Sequence, residues 1–348
     1  MNDRKEPAPE FFTDLTEFCA RFNLPAPSPE ALQAAKERRF RLPSPLLDRI
    51  ALGDPLDPVL RQFLPQGEEL RESDGFSTDP LQERSGPNEE SESAGVDDSA
   101  HSPILRKYYG RALLLTGGIC AGNCRFCFRR HFPVGSGLFG PGRSLETVEK
   151  RLAALLAPLA ADRTLTELIL SGSDPMGLPE QEIELLLDYI RKMPYVNRVR
   201  IHTRFPVLIP ERISERFLNV IRPADENNHQ RYIFVFHINH PAEISPLVAS
   251  AFARLRGVGA TLLVQSVLLA GVNDDAAVLA ALYEKLADCG VLPYYLHQLD
   301  RVAGAAHFEV PEERGLALIE ALRERLPGYL VPRYVREIPN RPAKTPLS

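Results

Sequence analysis

Residues 111–127 read RALLLTGGICAGNCRFC. A short β-rich run, RALLLT from Arg111, meets a glycine pair and then three cysteines, Cys120, Cys124 and Cys127, spaced C-x3-C-x2-C. Similar β-rich runs follow near Glu167 (ELILSG), Arg198 (RVRIHT), Arg231 (RYIFVFHI), Ala260 (ATLLVQSV) and Val291 (VLPYYLH), and a last one starts near Gly328 (GYLVPRYV). From the second run onward they recur about every 30 residues, with amphipathic helical stretches between them such as Glu180–Arg191, Ala276–Cys289 and Glu312–Leu326. Strand and helix alternating at that period imply repeated βα units and a parallel sheet, hence an α/β fold. Seven such strands favour a closed or partial (β/α) barrel over an open doubly wound sheet. In either architecture ligands gather at the carboxyl ends of the strands, where the cysteines stand.

Upstream, Glu10 to about Leu64 reads as helical, broken at Pro25, Pro27, Pro29 and Pro43. The expected organisation is an N-terminal helical segment over 1–82, an acidic flexible loop over 83–102 and the barrel over 103–348. The loop carries six acidic residues against one arginine, and its only large aliphatic is Val96. So little apolar surface cannot offset ordering entropy; an acidic interaction tail is the alternative. A hydrophobic fraction of 44% over 348 residues suits a soluble globular chain. The net charge of -5 gives no reason to expect nucleic-acid or membrane binding. No apolar run approaches the roughly 18 residues of a membrane span. Met1 to Leu15 has no apolar signal core, so a cytoplasmic address is expected.

An odd count of five cysteines, three of them clustered, argues against a disulfide framework. Cys19 and Cys289, in apolar helix-like surroundings, read as small buried hydrophobes. The clustered three suit iron–sulfur ligation: four cysteines normally complete a four-iron cluster, and three leave one iron open. S-adenosylmethionine can chelate that iron through its amino and carboxylate groups. Ala121 and Gly122 are small enough to let the loop wrap closely, and Phe126 would shield the site. The alternative is a three-cysteine zinc site completed by His131.

The loop resembles the signature of the radical S-adenosylmethionine superfamily. The wider stretch CAGNCRFCFRRHFP, residues 120–133, resembles the lysine 2,3-aminomutase branch, most of all the short aminomutases that prepare β-lysine for bacterial elongation factor P. The likeness runs from GFSTDPL at Gly75 to KTPL at Lys344, apart from the acidic stretch. The long clostridial-type enzymes continue well beyond the equivalent of Lys344.

The resemblance implies a [4Fe-4S] cluster on Cys120, Cys124 and Cys127, with S-adenosylmethionine and pyridoxal 5'-phosphate as further cofactors. Lys344 stands at the family's pyridoxal-phosphate lysine, with Asn340-Arg341-Pro342-Ala343 where relatives often carry a glycine-rich lead-in. Lys107 and Arg111 match phosphate-binding positions, and Gln265 matches a further cofactor-pocket glutamine. Arg129 matches the residue that clamps the substrate carboxylate, while its neighbour Arg130 reads as an ordinary surface cation. Asp300 and Glu337 match the acidic pair that holds the side-chain ammonium of lysine, a pair that relatives acting on glutamate lack. For S-adenosylmethionine, the loop Ser171-Gly172-Ser173 and the strand-end His237 match. Ser173 replaces a second glycine. The implied reaction converts L-α-lysine to (R)-β-lysine, with flavodoxin or ferredoxin as electron donor and elongation factor P and its ligase downstream. The alternatives are an aminomutase for another basic amino acid, such as arginine or ornithine, and a non-enzymatic iron–sulfur sensor.

Overall fold

The computed structural model describes residues 9–83, 103–117, 119–132, 144–222 and 230–348. The acidic stretch therefore lies outside the described residues, except for its first member, Glu83. In the N-terminal segment, β1 (Phe11–Phe12) pairs antiparallel with β2 (Leu42–Pro43), and between them come α1 (Leu15–Arg21) and α2 (Pro29–Glu37). Asp14 caps α1 by accepting from the Glu17 N–H at 2.9 Å, and Ser28 caps α2 by accepting from Ala31 at 3.1 Å. Beyond Pro43 the chain makes only 3-10 turns at 44–49, 60–62 and 67–70. The helical reading through Leu64 thus gives way to two short helices and turns. Pro43, Pro45, Pro55 and Pro58 each lack the N–H that helix propagation needs.

The rest of the chain reads β3 (Ile104–Leu105), β4 (Arg111–Leu115), α3 (Leu145–Ala161), β5 (Glu167–Ser171), α4 (Glu180–Arg191), β6 (Arg198–Thr203), α5 (Phe205–Leu208), α6 (Glu215–Ile221), β7 (Arg231–His237), α7 (Pro246–Gly257), β8 (Thr261–Val267), α8 (Ala276–Asp288), β9 (Leu292–His297), α9 (Glu312–Arg325), β10 (Arg333–Arg336) and β11 (Thr345–Pro346). Strands β4 to β10 are parallel and lie side by side in chain order. That unreversed order is barrel winding; a doubly wound sheet would switch direction. Antiparallel β3 and β11 form the two edges, so the described sheet is a partial (β/α) barrel.

Alternation along β6 shows how the sheet sorts its side chains. Val199, Ile201 and Thr203 are buried, while Arg200 and His202 on the other face line a cavity. Opposite the Val264–Gln265 step of β8, β9 carries one extra residue, Tyr294, just after Pro293, a bulge beside the site. One apolar core joins Phe18, Phe40 and Phe63 of the N-terminal segment to Leu114, Phe234 and Val264 of the barrel. A smaller cluster of Phe126, Leu269, Val302 and Phe308 includes a residue of the cysteine loop itself. Cys19 is buried in the main core and Cys289 packs half-buried against it. Among the described residues no helix is long and apolar enough to cross a membrane.

Candidate active site

One cavity at the carboxyl ends of the parallel strands is lined by Cys120, Cys124, Cys127, Lys107, Arg129, Ser171, Ser173, His237, Gln265, Asp300, Glu337 and Lys344. Arg111 is the exception among the expected residues. It opens β4 at the opposite, amino end of the strand, is exposed, and sets its guanidinium 5.4 Å from the Tyr108 ring centroid. The depression it lines, with Arg163 and Arg198, is separate.

The N-terminal segment grips the cysteine loop. Asn123 donates from its backbone to Arg41 O (3.1 Å) and from its side chain to Arg39 O (2.8 Å). The wholly buried guanidinium of Arg125 donates to both Glu69 oxygens (2.8 and 2.7 Å), to Arg38 O (2.7 Å) and to Ala34 O (3.0 Å). Arg130, read from the sequence as a surface cation, instead has its side chain almost wholly buried. It donates to Glu69, to Arg125 O (2.7 Å) and to Gly304 O (2.8 Å), contacts that no local pattern announces. Gly122 meets the expectation of a small residue: a Cβ there would come 2.8 Å from Phe63 Cε1. Phe126 is buried beside the thiols, its ring centroid 5.3 Å from that of His237.

Burial pushes the Cys120 thiol up to about 12, helped by the charges of Asp174 and Cys127. Burial also raises Cys124, against the pull of Arg204. These thiols are protonated in the free protein, so taking up iron must release protons. Thiolates of a four-iron cluster bind separate irons and need not converge on one point. Among the described residues no three His, Cys, Asp or Glu side chains converge as ligands of a single ion. His131, the fourth ligand in the zinc alternative, turns its Nε2 to Ala303 O at 3.0 Å.

The cavity walls also present unmet polar atoms. His202 Nε2, His237 Nε2 and Arg204 Nε are buried there without a hydrogen-bond partner among the described residues. Buried polar atoms ordinarily have partners, so this lining fits a polar ligand. Burial lowers His237 to about 3 and holds His202 well below its usual range, so both imidazoles are neutral. Gly172 has φ +97°, and a Cβ there would sit 2.9 Å from Leu115 Cδ2, so this turn after β5 requires glycine. It delivers Ser173 to the cavity and Asp174 to the end of β6. Asp174 there accepts from Thr203 Oγ1 (2.6 Å) and from the backbone N–H of Arg204 (2.6 Å), Phe205 (3.1 Å) and Met176 (3.0 Å).

The remaining lining residues are charges paired with one another. Lys344 Nζ donates to Glu337, whose other oxygen accepts from Tyr108 OH at 2.6 Å. Burial alone would raise Glu337, but Lys344, Tyr108 and Lys107 outweigh it and hold the carboxyl below its usual range. Among the described residues Asp300 has no such close side-chain partner: burial pushes it up to about 7, Glu337 adds to the rise, and Lys344 opposes it. Arg129 is engaged by Glu83, donating from Nε at 2.7 Å and Nη2 at 3.1 Å, and Lys107 donates to the same carboxylate at 2.8 Å. Burial would raise Glu83, but these two cations hold it at about 2. Asn340, in the lead-in to Lys344, takes φ +60°, a left-handed turn that asparagine accepts in place of glycine. Pairing of β11 with β10 then fixes the lysine beside Glu337.

Glu83, Arg204 and Glu243 are site residues that sequence reasoning missed. Glu83 stands two residues after Leu81, the last residue of the GFSTDPL stretch, and that closeness was the available signal. Composition assigned it to the acidic loop instead.

No family model matches the chain. Over 339 residues it is 41% identical to an L-lysine 2,3-aminomutase of Escherichia coli (strain K12), covering 96% of this chain and 91% of that protein. A Haemophilus influenzae L-lysine 2,3-aminomutase is 40% identical over 316 residues, covering 91% and 86%. One from Clostridium subterminale is 33% identical, covering 90% and 70%. A solved structure of Streptococcus suis SuiB bound to precursor peptide SuiA superposes with a TM-score of 0.45 at 12% identity, over 67% of this chain and 53% of that one, too loosely to bear on fold or function.

Proposed function

The chain belongs to the L-lysine 2,3-aminomutase family, and from that premise we propose that it converts free L-α-lysine to (R)-β-lysine, for use in modifying elongation factor P. Membership makes it an isomerase and implies a [4Fe-4S] cluster with S-adenosylmethionine; pyridoxal phosphate belongs to the proposal. The observation that carries the reading is that Asp300 and Glu337, a carboxylate pair suited to an ammonium group, share one cavity with three cysteines, Arg129 and Lys344.

Cys120, Cys124 and Cys127 hold the cluster in this reading. Lys344 is the amine for the aldehyde of pyridoxal phosphate, with Lys107 and Gln265 as donors to that cofactor. When bound, the cluster and S-adenosylmethionine supply hydrogen abstraction, and pyridoxal phosphate supplies a π-system for the migrating nitrogen. The chain's own part is orientation. Arg129 takes the substrate carboxylate in a bidentate fork, a geometry it already shows toward Glu83. Asp300 and Glu337 take the side-chain ammonium, and an apolar stem of four methylenes passes between the two ends. Glu337 stays ionised, and by accepting from Lys344 and Tyr108 it orients the lysine amine. His237 and the Ser171–Ser173 loop face S-adenosylmethionine, and Phe126 excludes water beside the thiols. The electron comes from a reduced flavodoxin or ferredoxin, in the cytoplasm. A separate ligase uses the product.

The test is anaerobic reconstitution followed by incubation with dithionite, S-adenosylmethionine and, separately, lysine, ornithine and arginine. β-Lysine is the expected product. A fully loaded cluster that yields no β-lysine rules out the reading, and a β-amino acid from arginine or ornithine alone reassigns the substrate.

A further inference from the structure

Arg204 is used by none of the roles above, yet its side chain contacts a cysteine of the loop directly. Its Nη1 lies 2.9 Å from Cys124 Sγ. Its Nη2 donates to Glu243 at 2.7 Å and to Gln62. The guanidinium carbon lies 4.7 Å from the Phe63 ring centroid and 5.9 Å from that of Phe126, so aromatic rings line its surroundings. Glu243, wholly buried, also accepts from the backbone N–H of Asn239 (2.9 Å) and His240 (3.0 Å) and from Gln62 Nε2 (3.2 Å). The carboxylate that balances Arg204 is thus shared among several donors and engages Nη2, which leaves Nη1 to the sulfur.

We propose that Arg204, oriented by Glu243 and Gln62, sets the reduction potential of the cluster by donating a hydrogen bond to the Cys124 thiolate. The inference rests on the three cysteines holding the cluster. Reduction adds negative charge to the cluster and its sulfurs. A fixed N–H···S bond and a buried cation stabilise that reduced state more than the oxidised one. Burial in a low-dielectric site enlarges the effect. The direction follows: removing the donor makes the cluster harder to reduce.

The experiment compares wild type with R204K and with the double variant R204M/E243Q, which removes both charges and leaves neither buried alone. Iron and acid-labile sulfide are counted, and the midpoint potential is read by an EPR-monitored titration without any amino acid. The expected result for R204M/E243Q is wild-type cluster content with the reduced state disfavoured about tenfold, which is about 59 mV more negative for a one-electron couple. R204K is expected between the two. In wild type itself, guanidino-15N-labelled arginine should give a 15N coupling on the reduced cluster by pulsed EPR. A fully loaded double variant at the wild-type potential overturns the proposal. So does the absence of the 15N coupling, whatever the variants do. A protein that loads its cluster but makes no β-lysine sinks the lysine reading and leaves this one standing.

Discussion

Two groups of side chains share the cavity, and they are built differently. Around the cysteines the polar partners are buried: Arg125 and Glu69 expose 0% and 1% of their side chains. Around Lys344 the charges pair with one another and the two lysines stay reachable: Lys344 exposes 24% and Lys107 29%, though Glu83, the partner of Lys107, exposes only 2%. The first group is assembled once, on folding, because breaking a buried pair leaves an uncompensated charge. The second can trade partners, since a substrate carboxylate or a phosphate can take over what Glu83 and Glu337 now hold. Support and recognition are therefore separable, and several variants test that separation.

The largest effects belong to the two covalent anchors proposed above. C124A should lose iron and sulfide while still taking up pyridoxal phosphate, and K344A should lose the pyridoxal absorbance at full iron content. Both should make no detectable β-lysine. A K344A protein without its cluster would merge the two groups into one. Next is R125M, which strands Glu69 between fewer donors and should cost about 3–5 kcal/mol in urea unfolding, with reduced iron loading. Wild-type stability in R125M would mean that the N-terminal grip on the loop is incidental.

A smaller effect sharpens the recognition side. Asp300 is mostly protonated below about 7 and ionised above it. Lysine's side-chain ammonium keeps its charge up to about 10. Hence kcat/KM for lysine should rise with pH through about 7, and D300N should remove that rise and lose roughly 10-fold to 100-fold, the worth of a charge-assisted bond. A pH profile unchanged by D300N would take Asp300 out of the recognition group. Smallest is K150A, which deletes the exposed Lys150–Glu146 pair and should change stability by less than about 0.5 kcal/mol.

Much of this was legible in the sequence because it is local. Each of the seven parallel strands overlaps a β-rich run, and Glu180–Arg191 matches its helix end to end. The cysteines announce themselves by spacing. What was not legible depends on contacts far apart in the chain. Arg204 reaches Gln62 across 142 positions, Arg125 reaches Glu69 across 56, and Arg129 reaches Glu83 across 46. No periodicity connects such pairs. The acidic stretch misled in the other direction, since its composition described the stretch as a whole and not its first residue. Arg111 shows a further limit: four positions after Lys107, it faces the opposite end of its strand.

Gln62 and Glu83 both come from the segment that precedes the barrel, and one serves each group of the cavity. For recombination between relatives this makes the chain non-modular. A crossover placed in the acidic stretch looks harmless by composition. It would nevertheless join one parent's Gln62 and Glu83 to the other's Arg204 and Arg129, so hybrids should fail wherever those partners have drifted apart together.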